Sequence, residues 1–152
     1  ALRGSASVDG IVRAMAAGGT DPATGLTAAA WSAHLAQLFE ATARAKPAYA
    51  KLRLIGLDRN GREIVRVDRM AADGSVRRIG EADLQAKGDR PFVSETARLA
   101  PGRIYVSPVD LNQEAGRIAE PHMPTLRVAT PVHDAVGAAV GVVVLNLDMR
   151  PA

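Results

Sequence analysis

Residues Pro124–Met149, PTLRVATPVHDAVGAAVGVVVLNLDM, limit what this chain can fold into more than any other stretch. Leu126, Val128, Thr130 and Val132 alternate with Arg127, Ala129, Pro131 and His133, the period-2 pattern of a strand with two unlike faces. A glycine-containing break at Asp134–Ala138 has the length of a short hairpin loop. Val140–Leu147 then runs almost unbroken in apolar, β-branched residues, as strands covered on both faces do. The run is too short to cross a bilayer as a helix, so it is expected to be the central strand of a sheet. Arg127 is the exception, a guanidinium set among strand residues that otherwise want a core.

The rest of the chain supplies the layers around that sheet. Val8, Ile11, Val12 and Met15 lie on one side of a short helix over residues 5–17, stopped by Gly18 and Gly19. Asp21-Pro22 and Gly25 mark a surface loop, and Thr27 is placed to cap a second helix running to about Lys46, before Pro47. Trp31, Leu35, Leu38, Phe39 and Thr42 form its expected apolar stripe. In Leu52–Met70, Asn60-Gly61 is the favoured type I′ dipeptide. A two-residue loop there pairs Leu57 with Ile64, Ile55 with Arg66, and Arg53 with Asp68, the last as an ion pair. Arg66 is then a second cation on a mainly apolar strand face. Ala72-Asp73-Gly74 is a turn, Glu81–Arg90 a helical loop, and Pro91 begins a helical turn through Ala97. Arg103–Ser107 reads as a strand and Pro108–Pro124 as a long polar loop of functional or mobile character. Two hairpins and one strand make a five-stranded antiparallel sheet with N-terminal helices on one side and a helical lid on the other, an α+β fold. One domain spans residues 1–152, with a helical part over 1–46 and a sheet core over 52–149.

Totals exclude several classes. The 152 residues are enough to bury a core without staples. Net charge is +3, but the basic residues are spread along the chain, and 3% aromatics leave few stacking platforms for nucleic acid. Zero cysteines remove disulfides and thiolate metal sites. No apolar run is long enough to span a membrane and no cleavable signal peptide is visible; Ala1 begins mid-pattern, so a piece of a longer protein is expected. His34, His122 and His133 lack metal-ligand spacing, and Ser94 and Ser107 lack a GxSxG elbow. The glycines form no phosphate-binding loop, and residues 134–137 lack the acidic ligands of a calcium loop. No cofactor and no metal are expected.

KLRLIGLDRNGREIVRVDR, LQAKGDRPF and YVSPVDLNQEAGRIAEPHMPTLRVATPV together resemble the extracytoplasmic PAS-like sensor domains called Cache or PDC, over roughly residues 27–149. The resemblance implies a periplasmic sensing module of a bacterial transmembrane histidine kinase or diguanylate cyclase, flanked by membrane helices and not itself an enzyme. In related citrate and dicarboxylate sensors an Arg in the LR-x-x-x-P-V strand contacts the ligand carboxylate, and Arg127 matches that position. A guanidinium suits such a ligand because two parallel N–H bonds match a carboxylate. Arg66, with Lys87 and Arg90 from the lid, could converge with Arg127; Tyr105 and Ser107 could supply hydroxyls from the middle strand, and Asp110 and Asn112 could hold an amine or hydroxyl. The plainer reading is that Arg66 and Arg127 form structural ion pairs, for instance with Asp68 or Glu114. Two rival functions remain at this point: a ligand-free dimerisation module and a small enzyme using Tyr105, Ser107 and Asp110. A homodimer is expected through the N-terminal helices, whose Val8, Ile11, Val12 and Met15 have no obvious internal partner.

Overall fold

The computed structural model describes residues 5–111, 113–114, 116–118 and 122–150. Helix α1 (Ala6–Ala16) is capped by the Ser5 hydroxyl, and α2 (Ala28–Ala45) by Thr27, whose side chain accepts from the amide of Ala30. The strands follow as β1 (Tyr49–Gly56), β2 (Glu63–Arg69) and β3 (Val76–Arg78). Three-residue helical turns at Glu81–Asp83 and Thr96–Arg98 flank the short helix α3 (Pro91–Ser94), which starts on its proline. After these come β4 (Tyr105–Val106), β5 (Asp110–Leu111), β6 (Gln113–Glu114) and β7 (Arg117–Ile118). The ten-residue strands β8 (Pro124–His133) and β9 (Ala139–Asp148) close the chain. The main sheet is seven-stranded and antiparallel, in the order β3-β2-β1-β9-β8-β4, with β5 also on β8.

All five expected strands are present, and β9 is central between β1 and β8. The short strands β3 and β5 are additions. The segment expected to be a loop over 108–124 carries β5 and, among its described residues, the small β6–β7 ribbon. The strand at Tyr105–Val106 lies at the sheet edge and not in its middle.

The first hairpin departs from its expected register. Arg53 faces Arg66, Lys51 faces Asp68, and a bulge next to Ile55 sets that residue opposite Glu63. The turn sits one residue early. Arg59 and Asn60 both have positive φ, and Gly61 donates back to the carbonyl of Asp58 at 3.1 Å. The following segment explains the shift: the amides of Lys87 and Gly88 donate to the carbonyls of Gly61 and Asn60, each at 2.9 Å, and Glu63 donates to the Gln85 carbonyl. Gly61 and Gly88 must both be glycine here, since a Cβ on Gly61 would lie 2.5 Å from the Gly88 backbone.

Both helices pack on one side of the sheet. Val8, Ile11, Leu35, Ala36, Phe39 and Ala43 meet Leu52, Leu54, Val65, Val67 and Val143 there. The apolar residues of α1 are thus spent internally, contrary to the expected outward stripe, and only Met15 among them stays exposed. On α2 the buried line is Ser32, Leu35, Ala36, Phe39 and Ala43, and Leu38 faces solvent. Trp31 is held by its indole N–H, which donates to Asp21 at 3.0 Å, and its ring covers Gly10. On the other side Phe92 and Val93 of α3 pack on Ile55, Ala129, Val142 and Val144. On β8, Thr125, Arg127 and Ala129 are buried on the lid side, whereas Leu126, Val128 and Thr130 on the opposite face are half-buried.

Two tests follow from this packing. Ala at Gly10 would gain about 1 kcal/mol of helix propensity, but its Cβ would sit 2.3 Å from the Trp31 ring. Overpacking of this kind costs about 1–3 kcal/mol, so Gly10→Ala should lower the urea midpoint. The second concerns Asp21, which is inaccessible to solvent and accepts from Arg13, Thr24, Trp31 and the amide of Ala23. The hydrogen bonds from Arg13 hold its carboxyl well below the usual carboxylate range, against the opposing effect of burial. Its folded pKa is depressed, so its stabilisation is complete above the unfolded value of about 4 and fades as pH falls below it. Thermal melts between pH 2 and 6 should show a steeper acid loss for wild type than for Asp21→Asn.

Candidate functional site

The lid-facing side of the sheet combines an apolar patch with buried charge. Alternation along β1 puts Lys51 and Arg53 on this side, with Leu52 and Leu54 on the helix side. Arg66 lies directly across from Arg53 on β2, and the bulge turns Glu63 to the same side. From the far hairpin come Arg127 on β8 and, opposite it on β9, Asn146. All six side chains are buried.

The contacts of Glu63, Arg53, Arg66, Asn146 and Arg127 form one network, joined through Phe92. Glu63 accepts from the Gln85 amide at 2.8 Å and from Arg66 Nη1 at 3.4 Å, and its second oxygen lies 3.5 Å from Arg53 Nη1. Arg53 Nη2 donates to Asn146 Oδ1 at 2.7 Å. Arg66 also grips Asp68 through two bonds, at 2.9 and 2.7 Å. Arg127 Nη1 donates to Asp110 at 2.5 Å, and Arg90 Nη2 approaches the other Asp110 oxygen at 3.8 Å. Phe92 sits at the centre. The guanidiniums of Arg53, Arg127 and Arg90 lie 4.8, 5.0 and 5.3 Å from its ring centroid. The ring's negative face offers each cation an interaction worth about 0.5–2 kcal/mol.

Most of the charged side chains described on this side are cations. Among the described residues, the buried ionisable groups on this side and in the segment covering it are Lys51, Arg53, Arg66, Lys87 and Arg127, against the carboxylate of Glu63. Asp68 and Asp110 contribute from more exposed positions. Burial pushes Arg53 down to about 10; Glu63 opposes that shift, and Arg66 and Arg127 add to it. The Nε–H groups of Arg53 and Arg127 are buried and make no hydrogen bond.

The expected site residues divide accordingly. Arg127, Arg66, Arg90 and Asp110 share the network. Tyr105, opposite Ala129, is on its rim; burial raises its phenol, and a hydrogen bond with Glu95 raises it further. Ser107 is adjacent but already engaged, since its hydroxyl accepts from the Arg127 amide at 2.8 Å and donates to the Pro108 carbonyl at 2.9 Å. It fixes the strand that carries Arg127. Lys87 is buried where its backbone docks on Gly61. Asn112 lies outside the described residues, as does the side chain of Glu114. The ion pair expected between Arg53 and Asp68 is replaced by Arg53–Glu63 and Arg66–Asp68, a consequence of the shifted register. Five members of the site were not anticipated: Lys51, Arg53 in this role, Glu63, Phe92 and Asn146. Asn146 was visible as the one polar break inside the apolar run of β9; the others gave no local signal.

Among the described residues no group of three His, Asp or Glu side chains is placed to hold a metal, and no helix is long and apolar enough to cross a membrane. The family model for the bacterial histidine kinase sensor domain matches residues 28–151. The chain belongs to that family. The resemblance drawn from the sequence pointed to the same class of sensor domain. Two solved structures reproduce its fold. A domain assigned to a sensory box/GGDEF family protein of Vibrio parahaemolyticus has a TM-score of 0.75 at 22% identity, covering 98% of this chain and 50% of the other. The extracellular domain assigned to the histidine kinase vpHK1S-Z8 has a TM-score of 0.75 at 23% identity, covering 97% and 47%. The sensor domain thus spans about half the length of each. A third, the extracellular domain assigned to the histidine kinase soHK1S-Z6, is more distant, with a TM-score of 0.57 at 16% identity, covering 78% and 43%. No curated protein matches the chain.

The sensor domain's charge network should depend unequally on its acids. Glu63→Gln leaves Arg53 and Arg66 buried without their shared counter-charge, a loss of about 3–5 kcal/mol. Asp110 is half exposed although its partner Arg127 is buried, so Asp110→Asn should cost less than Glu63→Gln, about 1–3 kcal/mol. Paired urea denaturation curves compare the two directly.

Proposed function

We propose that this sensor domain is the extracytoplasmic, non-catalytic input module of a membrane-bound bacterial receptor, and that it binds a small carboxylate-bearing molecule between sheet and lid. The observation that carries the reading is the gathering of the Arg53, Arg90 and Arg127 guanidiniums around Phe92, with the buried Nε–H groups of Arg53 and Arg127 making no hydrogen bond. A buried donor left unmatched is costly, and a site used to receive an anion accounts for that arrangement. The extracellular setting named for two of the structural neighbours favours the same placement. In the receptor, residues 1–152 would act as one unit, with the helical part over 1–46 and the sheet part over 52–149, joined to membrane helices outside this chain.

The rival readings find less support. A serine nucleophile needs a base within hydrogen-bond reach, whereas the Ser107 hydroxyl donates to a carbonyl. A ligand-free dimerisation module built on the helix from Thr27 to Lys46 loses most of its apolar stripe, because Leu35, Ala36, Phe39 and Ala43 are in the core, as are Val8 and Ile11 of α1. Pairing of two receptor copies through the N-terminal helices would use the outer side of α2, where Leu38 is 42% exposed.

Calorimetry and thermal shift with acetate, malonate, succinate and neutral polyols test the proposal. A carboxylate present at about 100 times its Kd should stabilise the fold by about 2.7 kcal/mol, while polyols leave the melting temperature unchanged. Arg127→Ala should weaken carboxylate binding by about 2–4 kcal/mol, and Arg127→Lys should recover only part, since an ammonium cannot make the paired planar contact. The ligand-free fold should survive Arg127→Ala. Carboxylate binding that Arg127→Ala leaves intact, or no carboxylate response at all, would defeat the reading.

A further inference from the structure

The geometry points to Asp110 as an internal competitor for the ligand: its carboxylate occupies the part of Arg127 and Arg90 that a ligand carboxylate must take. The inference rests on the anion-binding reading and assigns Asp110 a role that sets which ligands succeed.

Asp110 differs from the other acids of the network. Glu63 is fully buried on a seven-residue strand, and Asp68 grips its partner within the same strand. The Asp110 side chain is 47% exposed, while the Arg127 side chain it meets is 3% exposed. The acid reaches a buried cation from the solvent side, so it returns to water at little cost. Arg127 cannot follow. Its strand is paired along both edges, and its amide is held by Ser107.

The backbone behind Asp110 is also weakly held. Strand β5 has two residues, and its register sets Asp110 against Thr125 and Leu111 against Pro124. Proline has no amide to donate, so Pro124 can offer this ladder only its carbonyl. An incoming carboxylate, in contrast, has a contact that Asp110 leaves unmade. Asp110 takes Nη1 of Arg127, and the buried Nε–H has no partner. A ligand able to reach both Nε and a terminal nitrogen makes the two-bond contact that guanidinium geometry favours.

Two consequences follow. The penalty is the same factor for every anion, so weak monoanions fall below measurable binding while ligands whose carboxylates gain a second cation still bind. Displacement also frees β5 from the network, which provides the difference in contacts between two states that a sensor requires. A pair closed about 90% of the time raises the apparent Kd of a competitor about tenfold.

The experiment titrates acetate and malonate into the 152-residue chain as wild type, Asp110→Asn, Asp110→Ala and Arg127→Ala at fixed ionic strength. Hydrogen exchange at the Asp110 and Leu111 amides is followed in parallel. Both Asp110 variants should bind malonate and acetate each about tenfold more tightly, and malonate should raise exchange at both amides in wild type. Binding by the Asp110 variants where wild type shows none supports the inference equally. If wild type binds malonate through Arg127 but the Asp110 variants bind equally or less tightly, the competitor role is overturned and the anion-binding reading stands. If no variant binds either carboxylate, both fall.

Discussion

Glu63 between Arg53 and Arg66 is the contact on which the lid side of this domain depends. Desolvating a guanidinium costs several kcal/mol, and here two from adjacent strands face each other in register. Without a carboxylate between them that pairing would be repulsive, and like charges directly opposite on antiparallel strands destabilise a sheet. Glu63 reaches its place only because the hairpin bulges beside Ile55. The bulge in turn depends on the segment from Gln85 to Gly88, whose backbone bonds to the hairpin loop. Local geometry, charge and lid docking are therefore one arrangement, and each element requires the others.

The sheet gives its two faces different tasks. The helix face is an ordinary apolar core, with Phe39, Leu35 and Ile11 fully buried, and it supplies most of the non-directional stabilisation. The lid face has a smaller apolar cluster around Phe92 and Val93 and uses the rest of its area for polar groups. Stability is thus concentrated on the side away from the site. A face that need not hold the fold together can carry costly charge, as functional sites commonly do. Phe92 serves both purposes: it fills the patch over Ile55 and Ala129 and provides the ring that three cations share.

The arrangement also suits a receptor input. Signalling needs only that a ligand make different contacts in two states, and the coupling is reciprocal. The long strands β8 and β9 are rigid carriers, paired residue for residue over almost their whole length. The lid elements and β5 are short and held by few bonds. A change in charge at Arg127 would be absorbed by the second group, because the first has no alternative pairing that keeps its faces buried.

What the sequence by itself determined is the local structure. Both helix caps, the turn at 134–138, the ten-residue strands and the centrality of β9 follow from short-range rules of capping, turn chemistry and alternation. The resemblance led to the sensor family and to Arg127, and side-chain chemistry added Arg66, Arg90 and Asp110 as candidates. Tertiary structure decided the rest. Asn60-Gly61 has the chemistry of a two-residue turn, but the lid's hydrogen bonds to Asn60 and Gly61 moved that turn by one residue and reset every cross-strand partner. Alternation in β8 marks two faces without saying which is buried; the answer depends on how far α2 reaches across the sheet and on where Phe92 lands. Glu63, Arg53 and Asn146 join Arg127 only because three strands distant in sequence lie side by side, and no local pattern encodes that convergence.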